Sequence, residues 1–431
     1  MQPKHPNAHG QSSIEGTPLS AYQLAFIEFG ENGSYQDPSQ LRKALDLIKA
    51  KRKPLLITYV HGWHNNAASK DVEKFKSFLQ EVSKFQGVTD SGFQVIGVYL
   101  GWRGESLDIR WLDSLTFWSR KAAAERLASN NDCIDAVWSL TIEARRKNRE
   151  NNYTVLIGHS LGGLVVERTV AHSIVVASHS EAEHDLPADL IITLNPASDS
   201  ILTRQMVASL DSRLTLQGRN YVSTSEITKS LPGNRSVVVA IAAKNDRVNT
   251  RLFPLGANLA TFGKQWNEVS TPGHPSDRRS EKSYFTATPG HHELLANYEV
   301  KPLGATPPPS VGENGVDANL SLPNLDDRIF YTSDTNDPKL VGTPEFPWRR
   351  WAIAYEKNAK TPYWIIQVPP DIINNHGGIW HPNAQALMAA IFRMNFPQHR
   401  SRDGRLIQDV PEPVKIPVTR DFSRLQLPAQ H

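Results

Sequence analysis

Cysteine is nearly absent. Cys133 is the single cysteine in 431 residues, so no disulfide can form within the chain. A reducing compartment fits this, and so does export of a protein that needs no disulfides, so localisation stays open. An excess of one charge is missing too. Lys and Arg number 47 against 44 Asp and Glu, a net charge of +3, too small over this length for a nucleic-acid partner. The basic runs Lys51-Arg52-Lys53 and Arg145-Arg146-Lys147 fall at expected helix ends, where cations complement the dipole. No run approaches the roughly 18 apolar residues of a membrane span, which excludes an integral membrane segment and leaves contact with a lipid surface open. The N-terminus, MQPKHPNAHGQSSIEGTPLS, lacks an apolar h-region. No signal peptide is expected in the chain as given, which suits a cytoplasmic protein or a processed, exported one.

The chain does have enough apolar material for a buried site. At 39% hydrophobic and 21% charged residues it can build a core that excludes water. Short runs rich in β-formers read as strands: YQLAFIEFG (22–30), PLLITYV (54–60), FQVIGVYLGW (93–102), YTVLIG (153–158), ADLIITLN (188–195), SVVVAIAA (236–243) and YWIIQVP (363–369). Helical spacing separates them. Leu41, Leu45 and Ile48 share one face, as do Val72, Phe75, Phe78, Leu79 and Val82. Residues 105–150 read as helical, with Trp111 and Trp118 facing the core, and so do 161–176 and 198–216. A closing helix over 381–396 has Pro382 in its first turn.

This alternation predicts an α/β fold with a mostly parallel central sheet and helices on both faces. Residues 265–345 are rich in Pro, Gly, Ser, Thr and Asp and weak in periodicity. They read as a long irregular insertion before the last strand, a candidate lid with Tyr284, Phe285 and Trp348 as apolar lining. The expected organisation is a flexible tail (1–19), the first part of the core (20–264), the insertion (265–345), the rest of the core (346–400) and an irregular tail (401–431).

The chemistry centres on Gly158-His159-Ser160-Leu161-Gly162. A buried strand ends at Gly158 and a helix begins directly after Ser160. A serine on such a sharp turn is held in a strained conformation, and glycines two before and two after relieve the crowding. Its oxygen then projects beyond the sheet's carboxyl edge, where helix N-terminal amides favour developing negative charge. Ser160 is therefore the candidate nucleophile.

An oxyanion needs two donors. The Leu161 N–H, next after the serine, is one candidate, and the Trp63 N–H, after the strand ending at His61-Gly62, is the other. His61 and His64 read as structural groups of that loop. No further ligand follows them at metal spacing, so no metal and no organic cofactor are expected. The acid should follow a late strand: Asp246, after SVVVAIAAKN, is preferred, with Asp199 second. The base should follow the last strand. His376, before Gly377-Gly378 that free the loop, is preferred over His381, which looks like a helix cap, and over His291 and His292 in the insertion.

The segments YVHGWHNNA, GVYLGWRGE, GHSLGG, LNPA, KNDRVNTRLFPLG and NNHGGIW resemble bacterial and fungal α/β-hydrolases related to serine esterases and lipases. The resemblance runs from about residue 22 to 396, less the insertion. It implies Ser160 as nucleophile, Asp246 as acid and His376 as base, with Trp63 and Leu161 in the oxyanion hole. The expected function is hydrolysis of small-molecule or lipid esters through an acyl-enzyme. A phospholipase, thioester or amide hydrolase with the same groups is the near alternative. A hydrolase fold that only binds, without catalysis, is the distant one.

Overall fold

In the computed structural model the described residues are 9, 13–103, 113–146, 152–179, 187–216, 236–302, 330–333, 351–355 and 361–395.

The chain opens with strand β1 (Ile14–Glu15), β2 (Tyr22–Glu28), helix α1 (Pro38–Lys49) and β3 (Pro54–Val60). Helices α2 (Lys70–Lys84) and α3 (Gln86–Asp90) lead to β4 (Gln94–Gly101), then α4 (Asp113–Ser129) and α5 (Asn131–Arg145). β5 (Tyr153–His159), α6 (Leu161–His179), β6 (Leu190–Leu194), α7 (Ser200–Leu216) and β7 (Val238–Ala243) follow in strict alternation. After a π-helical turn, Val248–Leu252, come α8 (Phe253–Ala260), β8 (Glu268–Thr271), β9 (His274–Ser280) and α9 (Glu281–Thr286). β10 (Tyr298–Pro302), β11 (Phe330–Ser333), β12 (Trp351–Tyr355), β13 (Tyr363–Val368) and α10 (Pro382–Asn395) complete the order.

Eleven strands form one sheet in the order β1-β2-β4-β3-β5-β6-β7-β13-β10-β12-β11. Every pairing from β2 to β10 is parallel. β1 runs antiparallel to β2, and β12 antiparallel to β10. The architecture is α/β, consistent with an α/β-hydrolase-like fold. Every residue of β3, β5 and β7 is buried, because helices cover both faces of a parallel sheet. Ala44 and Ile48 of α1, Leu127 of α4, Leu140 of α5, Leu164 of α6 and Val207 of α7 pack on one face. Phe75 and Leu79 of α2 pack on the other, with Leu387 and Ile391 of α10. Among the described residues no helix is long and apolar enough to cross a membrane.

Two stretches differ from the sequence expectation. Within 1–19, β1 pairs with β2 and Ser13 is buried, so residues 13–15 are packed rather than part of a flexible tail, while 16–19 are exposed. Within 265–345, β8 and β9 make an antiparallel hairpin and β10 joins the main sheet beside β13. β10 escapes a periodicity reading because YEVKP has only two deeply buried apolar side chains, Tyr298 and Val300. Trp111, Trp348 and the tail at 401–431 lie outside the described residues.

Candidate active site

β5 hands directly to α6, and Ser160 sits at the junction with φ 56°. That is the left-handed region, costing a residue with a Cβ about 1–2 kcal/mol. The strain is held by neighbours on both sides. Ser160 N donates to Leu194 O at 2.9 Å, and Ala197 N donates to Ser160 O at 3.0 Å. The glycines are required by close approach. A Cβ on Gly162 would lie 2.1 Å from Val60 O, and one on Gly62 would lie 2.8 Å from Ser160 Cβ. The loop after β3 therefore rests directly on the Ser160 turn.

Three candidates from distant parts of the chain meet here. His376 Nε2 lies 2.6 Å from Ser160 Oγ. Its Nδ1–H donates to Asp246 Oδ2 at 2.7 Å. The other oxygen, Asp246 Oδ1, accepts from Val248 N at 2.9 Å and Asn249 N at 3.1 Å. Burial pushes the Asp246 carboxyl up, but the bonds from His376 and Asn249 outweigh it and leave the group below its ordinary value. An ionised Asp246 fixes the His376 tautomer, with Nε2 free to accept the Ser160 proton.

The backbone of His376 is anchored as carefully as its ring. Asn195, at the end of β6, donates through Nδ2 to Asn375 O at 3.2 Å and to His376 O at 2.9 Å. Its Oδ1 accepts from Ala243 N at 2.8 Å. His159 Nε2–H donates to the same His376 carbonyl at 3.1 Å. Burial, and then the nearby His376, bring His159 down to about 4, so it stays neutral. The turn before His376 is made by Asn375 at φ 58°, not by Gly377 or Gly378, which keep negative φ. Asn375 N donates to Asn245 Oδ1 at 2.8 Å, and Asn375 Oδ1 accepts from Arg247 N at 3.1 Å. The Asp246 loop and the His376 loop are thereby clasped together.

Asn195 and His159 were not singled out from the sequence. Both lie in quoted motifs, LNPA and GHSLGG, and a polar residue ending an apolar strand is the signal that marks them. Glu167, on α6, was also passed over. It is fully buried and accepts from Tyr363 OH at 3.2 Å, Thr193 Oγ1 at 3.3 Å and Ser198 Oγ. Burial pushes its carboxyl up to about 7.

The remaining candidates fall elsewhere. Asp199 lies 3.6 Å from both Lys121 and Arg168. His381 caps α10, its Nδ1 accepting from Asn383 N at 3.4 Å. His291 Nε2–H donates to Ala243 O at 3.1 Å, and His292 Nε2 pairs with Ser283 Oγ at 3.1 Å. His61 accepts from Trp102 N and stacks on that indole, bracing the loop that carries Trp63. His64 stacks on Trp63 with φ 65°. Among the described residues no hydrogen bond occupies the backbone N–H of Trp63 or of Leu161.

A cavity of about 320 Å³ opens beside His159 and His376, with Trp63, Val248, Ile379 and Trp380 as its apolar wall. Tyr284 and Phe285 do not line it. Tyr284 stacks on His292, and Phe285 packs against Trp266. Asp71 does reach the cavity, its carboxylate held by Tyr59 OH, Tyr99 OH and Trp380 Nε1 at 2.9, 3.2 and 2.7 Å. Among the described residues no cluster of His, Cys, Asp and Glu could hold a metal ion.

No family model matches the chain, and no curated protein does. Among solved structures, the phospholipase PlaB from Legionella pneumophila, in complex with thio-NAD, is similar at a TM-score of 0.23 and 15% identity. The match covers 58% of this chain, and the chain spans 46% of the length of that phospholipase.

Proposed function

We propose that the chain is a serine hydrolase that cleaves carboxylic esters. The reading is carried by the unbroken relay from Ser160 Oγ through His376 to Asp246, at 2.6 and 2.7 Å. His376 Nε2 takes the hydroxyl proton as Ser160 Oγ attacks the acyl carbonyl carbon. The tetrahedral oxyanion rests on the N–H groups of Trp63 and Leu161, each donor contributing about 3 kcal/mol in the transition state. His376 returns the proton to the leaving alcohol, which departs and leaves an acyl ester on Ser160 Oγ. Water, giving a proton to His376, attacks that ester; the bond to Ser160 Oγ breaks, His376 returns the proton to Oγ, and the acid is freed. Asp246 stays ionised throughout and steadies the imidazolium.

The apolar wall of the cavity suits an acyl chain. A p-nitrophenyl ester panel from acetate to palmitate, run beside Ser160→Ala, tests the reading. The wild type hydrolyses at least one member, and the variant loses roughly 10⁴-fold or more in kcat. A fluorophosphonate probe labels Ser160 in the wild type alone. Full activity in Ser160→Ala, or failure of the wild type to label, overturns the proposal and returns the fold to a binding role.

A further inference from the structure

Helix α8 presents an apolar stripe to water. Leu255, Leu259 and Phe262 are 64%, 73% and 88% exposed. Their spacing of four and three puts them on one side of the helix and its closing turn, where Phe262 N donates to Leu259 O. The helix is not a loose end. Phe253 and Ala257 on its other side are buried, and a Cβ on Gly256 would lie 2.1 Å from the Trp118 ring.

The segment that carries the stripe has charge of one sign. Between Arg247 and Asn267 the chain carries Arg247, Arg251 and Lys264 and no acidic residue. All three cations are exposed, and among the described residues none has an ion-pair partner. α8 also follows directly on the π-helical turn whose Val248 lines the cavity, and the exposed Lys70 and Lys74 stand on that cavity's wall.

We infer that α8 is a docking helix for an anionic lipid surface, with Leu255, Leu259 and Phe262 entering the headgroup region and Arg251 and Lys264 meeting lipid phosphates. Exposed apolar side chains beside cations are the pattern that such surfaces reward, through burial of apolar area and attraction to negative headgroups. A second copy of the chain fits less well, since a two-fold contact would set these cations against their own equivalents. The docking deepens the ester-hydrolase reading by naming where the substrate is met, but binding does not require turnover.

The test is sedimentation of the full chain with vesicles of ether-linked phosphatidylcholine, with and without ether-linked phosphatidylglycerol, lipids that no esterase cleaves. The wild type co-sediments with the anionic vesicles, and added salt releases it. Leu259→Ser with Phe262→Ser weakens partition roughly tenfold or more, and Arg251→Gln with Lys264→Gln weakens it roughly 30-fold. Both pairs lie on the surface, and unchanged thermal unfolding shows that the variants fold. No binding, equal binding to neutral and anionic vesicles, or binding that both variant pairs retain overturns the proposal. A concentration-dependent dimer that the Leu259→Ser, Phe262→Ser variant abolishes, without vesicle binding, gives the stripe to a protein contact and overturns it also. Ester hydrolysis enters none of these outcomes, so failure here and failure of the proposed reaction are read separately.

Discussion

Asn195 serves three backbone groups with one side chain. Its amide nitrogen holds the carbonyls of Asn375 and His376, and its oxygen holds Ala243 N. The residue itself has φ 45°, which an asparagine tolerates better than most. Asn195→Ala removes the bonds to the Asn375 and His376 carbonyls, leaving His159 as the donor to His376 O, and leaves Ala243 N without its partner. We expect kcat to fall roughly 10- to 100-fold, since small misplacements of a catalytic group are costly. A loss of about 1–3 kcal/mol of stability accompanies it. Steady-state kinetics on a soluble ester check the first, and urea unfolding the second. A change in KM alone would contradict a positioning role.

Glu167 supplies a pH dependence of its own. Its carboxyl moves from an ordinary 4.5 up to about 7 on burial. The folded state therefore holds its proton more tightly than the unfolded chain does. Its contribution to stability is fully present below about pH 4.5 and is lost as pH rises through about 7. The loss is on the order of 3 kcal/mol. Glu167→Gln cannot ionise, so between about pH 4.5 and 7 the urea midpoint of the wild type falls relative to that of the variant as pH rises. Parallel curves for the two proteins would sink this account.

At the scale of elements, close contact decides more than hydrogen bonding. The loop after β3, the Ser160 turn and α6 touch through glycines, with no room for a side chain on Gly62 or Gly162. Gly62→Ala would push against Ser160 Cβ and His159 O, at 2.8 and 2.9 Å. We expect activity to drop by about a hundredfold or more, with about 1–3 kcal/mol of overpacking strain. At Gly377 a Cβ meets nothing within 4 Å and φ is −93°, so Gly377→Ala keeps a near-normal unfolding midpoint. Calorimetry and ester kinetics on the pair distinguish crowding from a general intolerance of the region.

The elements that sequence exposes are those with a strong apolar period. PLLITYV, YTVLIG and SVVVAIAA read as buried strands because both of their faces meet helices, and they occupy β3, β5 and β7. Ser160, Asp246 and His376 could be named as candidates because each follows such a strand. What supports them was not legible. The bonds from His159 and Asn195 to His376 join residues about 180 to 217 positions apart, and no local pattern encodes a pairing at that range. The Asn375 turn was hidden for another reason. Two glycines follow it and attract the eye, while the asparagine takes the positive φ. β10 was lost because a five-residue strand with Glu299, Lys301 and Pro302 in it has too little apolar period to stand out.

Over the whole molecule, buried histidines contribute to the acid limit, beside Asp246, whose carboxyl is held below its ordinary value. Burial brings His159 and His292 down to about 4 and lowers His61 and His291 as well. Groups depressed in this way give stability that is complete above their ordinary 6.5 and lost as pH falls through about 4. Glu167 works in the opposite direction over the same range, gaining its proton and favouring the fold. We therefore expect urea midpoints to fall on acidification from about pH 6.5 to about 4, and to fall more steeply in Glu167→Gln. A wild type whose stability is level over that interval would contradict the histidine account.

The position of β13 has a consequence for how the chain comes off the ribosome. β13 lies between β7 and β10, two strands made before it. Until residue 368 has been synthesised, β7 waits with one bare edge, and the β10-β12-β11 group has no link to the rest of the sheet. Vectorial synthesis therefore cannot finish this fold from the N-terminus onward. The last parallel strand must slide into a slot held open for it, and bare edges are where nascent chains mispair. The loop bearing His376 begins immediately after that strand. The Ser160 hydroxyl thus meets His376, its proposed base, only when the slot has closed, and an unfinished chain carries that serine without its partner.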